Sequence, residues 1–154
     1  MTPSPDAGDH PRERRPRRPG RVGVVAATVA AATAVNLVVH ALGRAAGGTF
    51  RFTASGRVAE VDALTVAGFT VVPLLAGMTV AAVLSRRLRW VVPAALVIAP
   101  VLALGTVVVM TVPADLDPVA KVTLALCHVT LVPVTVAGLL ALRGLDRRRT
   151  RLLP

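Results

Sequence analysis

The stretch VGVVAATVAAATAVNLVVHAL, Val22 to Leu42, decides the fold: it runs for 21 residues without a charge. A helix rises about 1.5 Å per residue and the hydrocarbon core of a bilayer is about 30 Å thick, so about 20 apolar residues make one crossing. Three more such stretches follow. Ala63 to Leu84 and Trp90 to Val112 are also uncharged, and Val119 to Leu142 carries one charge, Lys121, near its start. A buried helix of a soluble protein rarely stays uncharged that long. Four of them in 154 residues leave little polar surface for water. The reading is an all-α membrane protein, a four-transmembrane-helix bundle over 21–143 with helices at 22–42, 63–84, 90–112 and 119–142.

The composition agrees. The chain is 54% hydrophobic with a mean hydropathy of +0.67, yet its formal charge is +10. Those values conflict in a globular protein and agree when the charge lies outside apolar spans. They exclude a disordered chain, a secreted disulfide scaffold and an ordinary cytosolic enzyme.

Prolines 73, 93, 100 and 133 fall within these stretches. Membrane helices tolerate proline because neighbouring helices and Thr side chains take up the freed carbonyls. Pro93 sits in a first turn, where no hydrogen bond is lost; Pro73, Pro100 and Pro133 are mid-span and predict kinks. Gly43, followed by Gly47 and Gly48, is expected to close the first helix. Asp62 caps the second, and Asp117-Pro118 is an N-cap and N1 pair for the fourth.

Charge sets orientation. The basic residues Arg12, Arg14, Arg15, Arg17, Arg18 and Arg21 precede the first span; Arg86, Arg87 and Arg89 join the second to the third; Arg143, Arg147, Arg148, Arg149 and Arg151 follow the fourth. All of these fall on one side. The other side has Arg44, Arg51, Arg57 and Lys121, balanced by Glu60, Asp62, Asp115 and Asp117. The positive-inside rule puts both termini in the cytoplasm of a bacterial plasma membrane. Arginines beside spans set topology and touch anionic lipid at the cytoplasmic face, so they do not argue for nucleic acid. The Pro/Arg-rich tail 1–20 is expected to be disordered, 144–154 is a second basic tail, and the first span reads as an uncleaved anchor because its exit is a poor cleavage site.

Between the first two spans, Thr49-Phe50-Arg51-Phe52-Thr53 and Arg57-Val58-Ala59-Glu60-Val61 alternate about Ala54-Ser55-Gly56, which predicts a short extracytoplasmic β-hairpin. Phe50, Phe52, Val58 and Val61 are expected to lie on the helix ends, since an isolated hairpin is marginal in water.

Polar residues inside spans default to function. Thr33, Asn36 and His40 share one face of the first helix, and Lys121, His128 and Thr135 one face of the fourth. If those helices are neighbours, Asn36, His40, Lys121 and His128 make a polar seam in the outer half of the bundle. It serves either as interhelical hydrogen-bond glue or as a proton or substrate pathway. Haem ligation by His40 and His128 is disfavoured because the two differ by about 9 Å in depth at ideal helical rise. Cys127, alone, makes neither an intramolecular disulfide nor a zinc site. No acidic residue lies within a span, and no phosphate loop or hydrolytic motif is present. The expectation is therefore no enzyme, no cofactor and no metal. Ala26, Ala30 and Ala34, and Gly77 with Ala81, form small-residue stripes that serve either the bundle or a homo-oligomer.

The run Ala32-Thr33-Ala34-Val35-Asn36, the Gly-rich exit and hairpin at 43–61, and Leu124-Ala125-Leu126-Cys127-His128 together resemble a family of small four-helix membrane proteins of actinobacteria, a domain of unknown function. In that family Met stands where this chain has Cys127, which marks the position as packing. The resemblance implies an integral four-helix protein over about residues 20 to 145 and no assigned activity. Two functional readings follow: a non-enzymatic accessory or interaction subunit, with a membrane protein partner, or a small oligomeric permease or channel using the seam.

Overall fold

The computed structural model describes residues 20–151. Gly20 apart, the N-terminal tail expected to be disordered lies outside them. Helix α1 (Arg21–Ala45) leads into strands β1 (Arg51–Ala54) and β2 (Arg57–Glu60). Helices α2 (Ala63–Leu84), α3 (Val91–Thr106) and α4 (Pro118–Arg151) follow, and a π-helical turn at Val107–Thr111 extends α3. All four helices are long and apolar enough to cross a membrane, and a two-stranded antiparallel hairpin joins the first two. The prolines at 73, 100 and 133 lie inside helices that continue through them.

Helices α1 and α4 are the central pair of the bundle. Helix α1 packs chiefly on α4 and α2; α3 packs on α4, and α2 scarcely touches α3 or α4. The buried residues of α1 are Val24, Val25, Thr28, Ala32, Asn36, His40 and Gly43, which follow the helical three-to-four spacing. The Ala26-Ala30-Ala34 stripe is exposed on another face. Glycines at the α1–α4 contact do the close packing instead. A Cβ on Gly43 would lie 2.3 Å from the Thr123 hydroxyl, and one on Gly138 would lie 2.3 Å from that of Thr28.

At the end of the bundle holding the α2–α3 loop, Val24, Val25, Met78, Ala82, Val92, Leu139 and Leu142 form the main core. Arg21 closes it, donating to the Ala82 carbonyl (2.6 Å) and the Ser85 hydroxyl (2.9 Å) and pairing with Asp146. These contacts explain why α4 runs on beyond the apolar stretch that ends at Leu142: Leu145 packs on the core and Asp146 holds Arg21.

At the other end Phe50, Leu116 and Ala120 make a second core, with Phe52 and Val61 packed against it. Val58 does not join them; it is 75% exposed. The register explains this correction. Phe52 pairs with Ala59 and Thr53 with Val58, so Val58 lies on the face opposite Phe52. Residues three apart in a strand cannot share a face, which separates Val58 from Val61. The turn residues Ser55 and Gly56 both have positive φ, the geometry of a two-residue hairpin loop. Gly47, not Gly43, supplies the left-handed residue after α1, with φ of 93°. Gly43 and Gly48 are instead required by the ring of Phe50, which a Cβ at either would approach within 3 Å.

Candidate functional site

Asn36, His40, Lys121 and His128 each have a different hydrogen-bond partner. Asn36 is 3% exposed where α1, α2 and α4 meet. Its Nδ2 donates to the Thr70 hydroxyl of α2 (2.9 Å), and its Oδ1 accepts from the Thr130 hydroxyl of α4 (3.1 Å). The backbone carbonyl of Asn36 faces the Cys127 thiol at 3.8 Å. Thr70 passes its own proton to the Val66 carbonyl, so one hydroxyl both accepts from Asn36 and donates within its helix. One side chain thereby ties three helices together.

His40, one turn nearer the hairpin, is also buried. Its Nε2–H donates to the Val61 carbonyl at 3.1 Å, and its ring meets Phe50 with centroids 4.6 Å apart. Phe50 is fully buried at a positive φ of 56°, and the Arg44 guanidinium lies over its ring at 5.9 Å. His40 therefore fastens the hairpin to α1.

Lys121 turns outward and donates to the Val112 carbonyl at 3.1 Å, where the helix that includes the π turn ends. A cation there complements the negative helix terminus. His128 faces the gap between α2, α3 and α4. Its Nδ1–H donates to the Leu124 carbonyl of its own helix at 2.8 Å. Helices α1 and α4 are neighbours as the seam requires, but no hydrogen bond joins any two of Asn36, His40, Lys121 and His128.

The acidic turn before α4 is a junction. Asp117 accepts through Oδ1 from the Ala120 N–H (2.8 Å), which caps α4. Its Oδ2 accepts from the Thr49 N–H (3.0 Å), the Thr49 hydroxyl (2.8 Å) and the Phe50 N–H (3.3 Å). These donors lower its pKa from 3.8 to about 2, the Ala120 N–H first. Asp115 accepts from the Thr53 N–H at 2.8 Å, which lowers its pKa too. Asp62 is lowered by the hydroxyl and N–H of Thr65, as its capping role predicts. All three carboxylates are engaged by the hairpin or by helix starts.

Thr70 and Thr130 were not legible as partners of Asn36. Threonines occur in every span, and a hydroxyl that back-bonds to its own helix gives no sign of serving a neighbour. The one available signal is depth: Asn36 and Thr70 lie at similar distances from the hairpin end. Among the described residues no three of His, Cys, Asp and Glu gather as a metal site would need.

Residues 16–151 match the family described as "Family of unknown function (DUF6069)". The chain belongs to that family. No curated protein and no solved structure matches it. Membership of DUF6069 assigns no enzyme class, and the four apolar helices give this member the make-up of a multi-pass membrane protein.

Proposed function

We propose that this DUF6069 member is a non-enzymatic accessory or interaction subunit of a bacterial plasma membrane, with both termini in the cytoplasm. The observation that carries the reading is the Asn36 junction. The most deeply buried polar side chain of α1 spends both ends of its amide on Thr70 and Thr130. His40 is spent on Val61 and Lys121 on Val112 in the same way. Groups engaged by their own fold hold helices together; a conduction path needs groups left to exchange partners along its length. The orientation is supported by Arg21, by Arg86, Arg87 and Arg89 of the α2–α3 loop, and by Arg143 and Arg147 late in α4, which lie at the same end of the bundle.

The test is purification of the tagged full chain from its own membranes in mild detergent, with quantitative mass spectrometry. An accessory subunit brings down one membrane protein in stoichiometric amount. A pure homo-oligomer that conducts in liposomes, and loses that flux on His128→Leu with its fold intact, would replace this reading with the permease.

A further inference from the structure

Helices α2 and α3 face each other across small residues, among them Gly77 and Ala81 on α2 and Ala95 and Ala99 on α3. The space between them is left unfilled. The result is a groove of about 580 Å³, floored by α4 and open to the side. It runs from Leu84 and Trp90 to Phe69 and His128. The α2 residues along it span about 22 Å at helical rise. Its lining is almost wholly apolar.

The Leu84–Trp90 end adjoins the α2–α3 loop, where Arg86, Arg87 and Arg89 are all exposed. None of the three has a carboxylate partner among the described residues. A row of unpaired cations thus stands at the mouth of an apolar channel. A slender occupant, one hydrocarbon chain, matches the length and the apolar lining of the groove. The depth of a single leaflet, about 15 Å, fits within the length of the groove.

We propose that this groove binds one anionic phospholipid, its phosphate on Arg86, Arg87 and Arg89 and one acyl chain laid between α2 and α3. Charge complementarity selects the headgroup, and the groove distinguishes this lipid from those that merely surround the bundle. The site does not depend on the accessory-subunit reading.

The experiment is native mass spectrometry of the full chain in detergent. The chain is titrated with phosphatidylglycerol and, separately, with phosphatidylcholine of the same acyl chains. One phosphatidylglycerol is expected to be retained in preference to phosphatidylcholine. Arg86→Gln, Arg87→Gln and Arg89→Gln should each weaken it by about fivefold. Gly77→Leu keeps every charge and projects into the groove, because nothing lies within 4 Å of a Cβ there. It should also displace the lipid, with helical content by circular dichroism unchanged. Ala99→Leu is the second groove-filling variant should Gly77→Leu not fold. Equal retention of the two lipids would overturn the proposal. So would binding insensitive to groove filling, which is surface attraction alone. Recovery of a neutral hydroxyl-bearing lipid, held at the His128 end, would do the same. A dimer abolished by Gly77→Leu would place a second copy in the groove and overturn it as well.

Discussion

Gly138 of α4 and Thr28 of α1 are in contact so close that a methyl group on the glycine would lie 2.3 Å from the threonine hydroxyl. The same arrangement recurs with the roles exchanged at Gly43 of α1 and Thr123 of α4. The two antiparallel helices are therefore keyed at both ends, each offering a glycine to the other's threonine. Both threonines back-bond to their own helix, Thr28 to Val24 and Thr123 to Val119, which keeps their hydroxyls supplied where the backbones meet.

Gly138→Ala and Gly43→Ala should each destabilise the bundle by about 1–3 kcal/mol, the usual cost of overpacking. Gly68→Ala, where nothing lies within 4 Å of the added carbon, should be neutral or slightly stabilising through helix propensity. Thermal unfolding in detergent checks all three. Equal effects at the three positions would mean that the α1–α4 contact is not close.

Asn36→Leu removes the side-chain hydrogen bonds of Asn36 to Thr70 on α2 and Thr130 on α4. The expected loss is about 0.6–2 kcal/mol, as for other interhelical bonds in membranes. Thr70→Val should lose less, because Thr130 still holds the amide oxygen. A double-mutant cycle of the two, read by unfolding in mixed micelles, should show coupling; strict additivity would break the assigned bond.

Asp117 predicts an acid response at the hairpin. Its folded pKa of about 2 lies below the ordinary 3.8, so the carboxylate is favoured in the folded state. The stabilisation is present above pH ~3.8 and is lost as pH falls toward 2. Amide exchange at Thr49, Phe50 and Ala120 should quicken over that window. Asp117→Asn should show no such pH dependence in it. An unchanged profile in the variant would assign the response to another group.

Topology is open to labelling in a Cys127→Ser background. Ser55 is exposed in the hairpin turn and Arg87 is exposed in the α2–α3 loop. Ser85 is a poor reporter, since it is buried and accepts from Arg21. With the termini in the cytoplasm, an impermeant thiol reagent applied to intact cells should reach Ser55→Cys and miss Arg87→Cys. The reverse pattern would invert the orientation.

The hairpin and the seam show different limits of reading from sequence. Alternation and a Ser-Gly turn were enough to place both strands, because those signals are local. Val58 departs from the expected face because the strand period turns it away from Phe52, toward the side of Thr53. The seam depends on more than spacing. Helical spacing relates Asn36 to His40, and Lys121 to His128, along each helix, but it does not state how far each helix is rotated toward its neighbours.

What the sequence alone determined is the number of membrane-length helices and the position of the hairpin. Uncharged runs of bilayer length, and capping by Asp62 and Asp117, are properties of the chain itself. Tertiary structure decided which of several polar and small residues meet. Asn36 found Thr70 and Thr130, Gly43 and Gly138 rather than the Ala26 stripe took the close contact, and α2 and α3 stayed apart. Between apolar helices there is no hydrophobic force to set rotation. It is set by a few hydrogen bonds and by where a backbone can approach within reach of a glycine, and both are pairwise facts that no single segment contains.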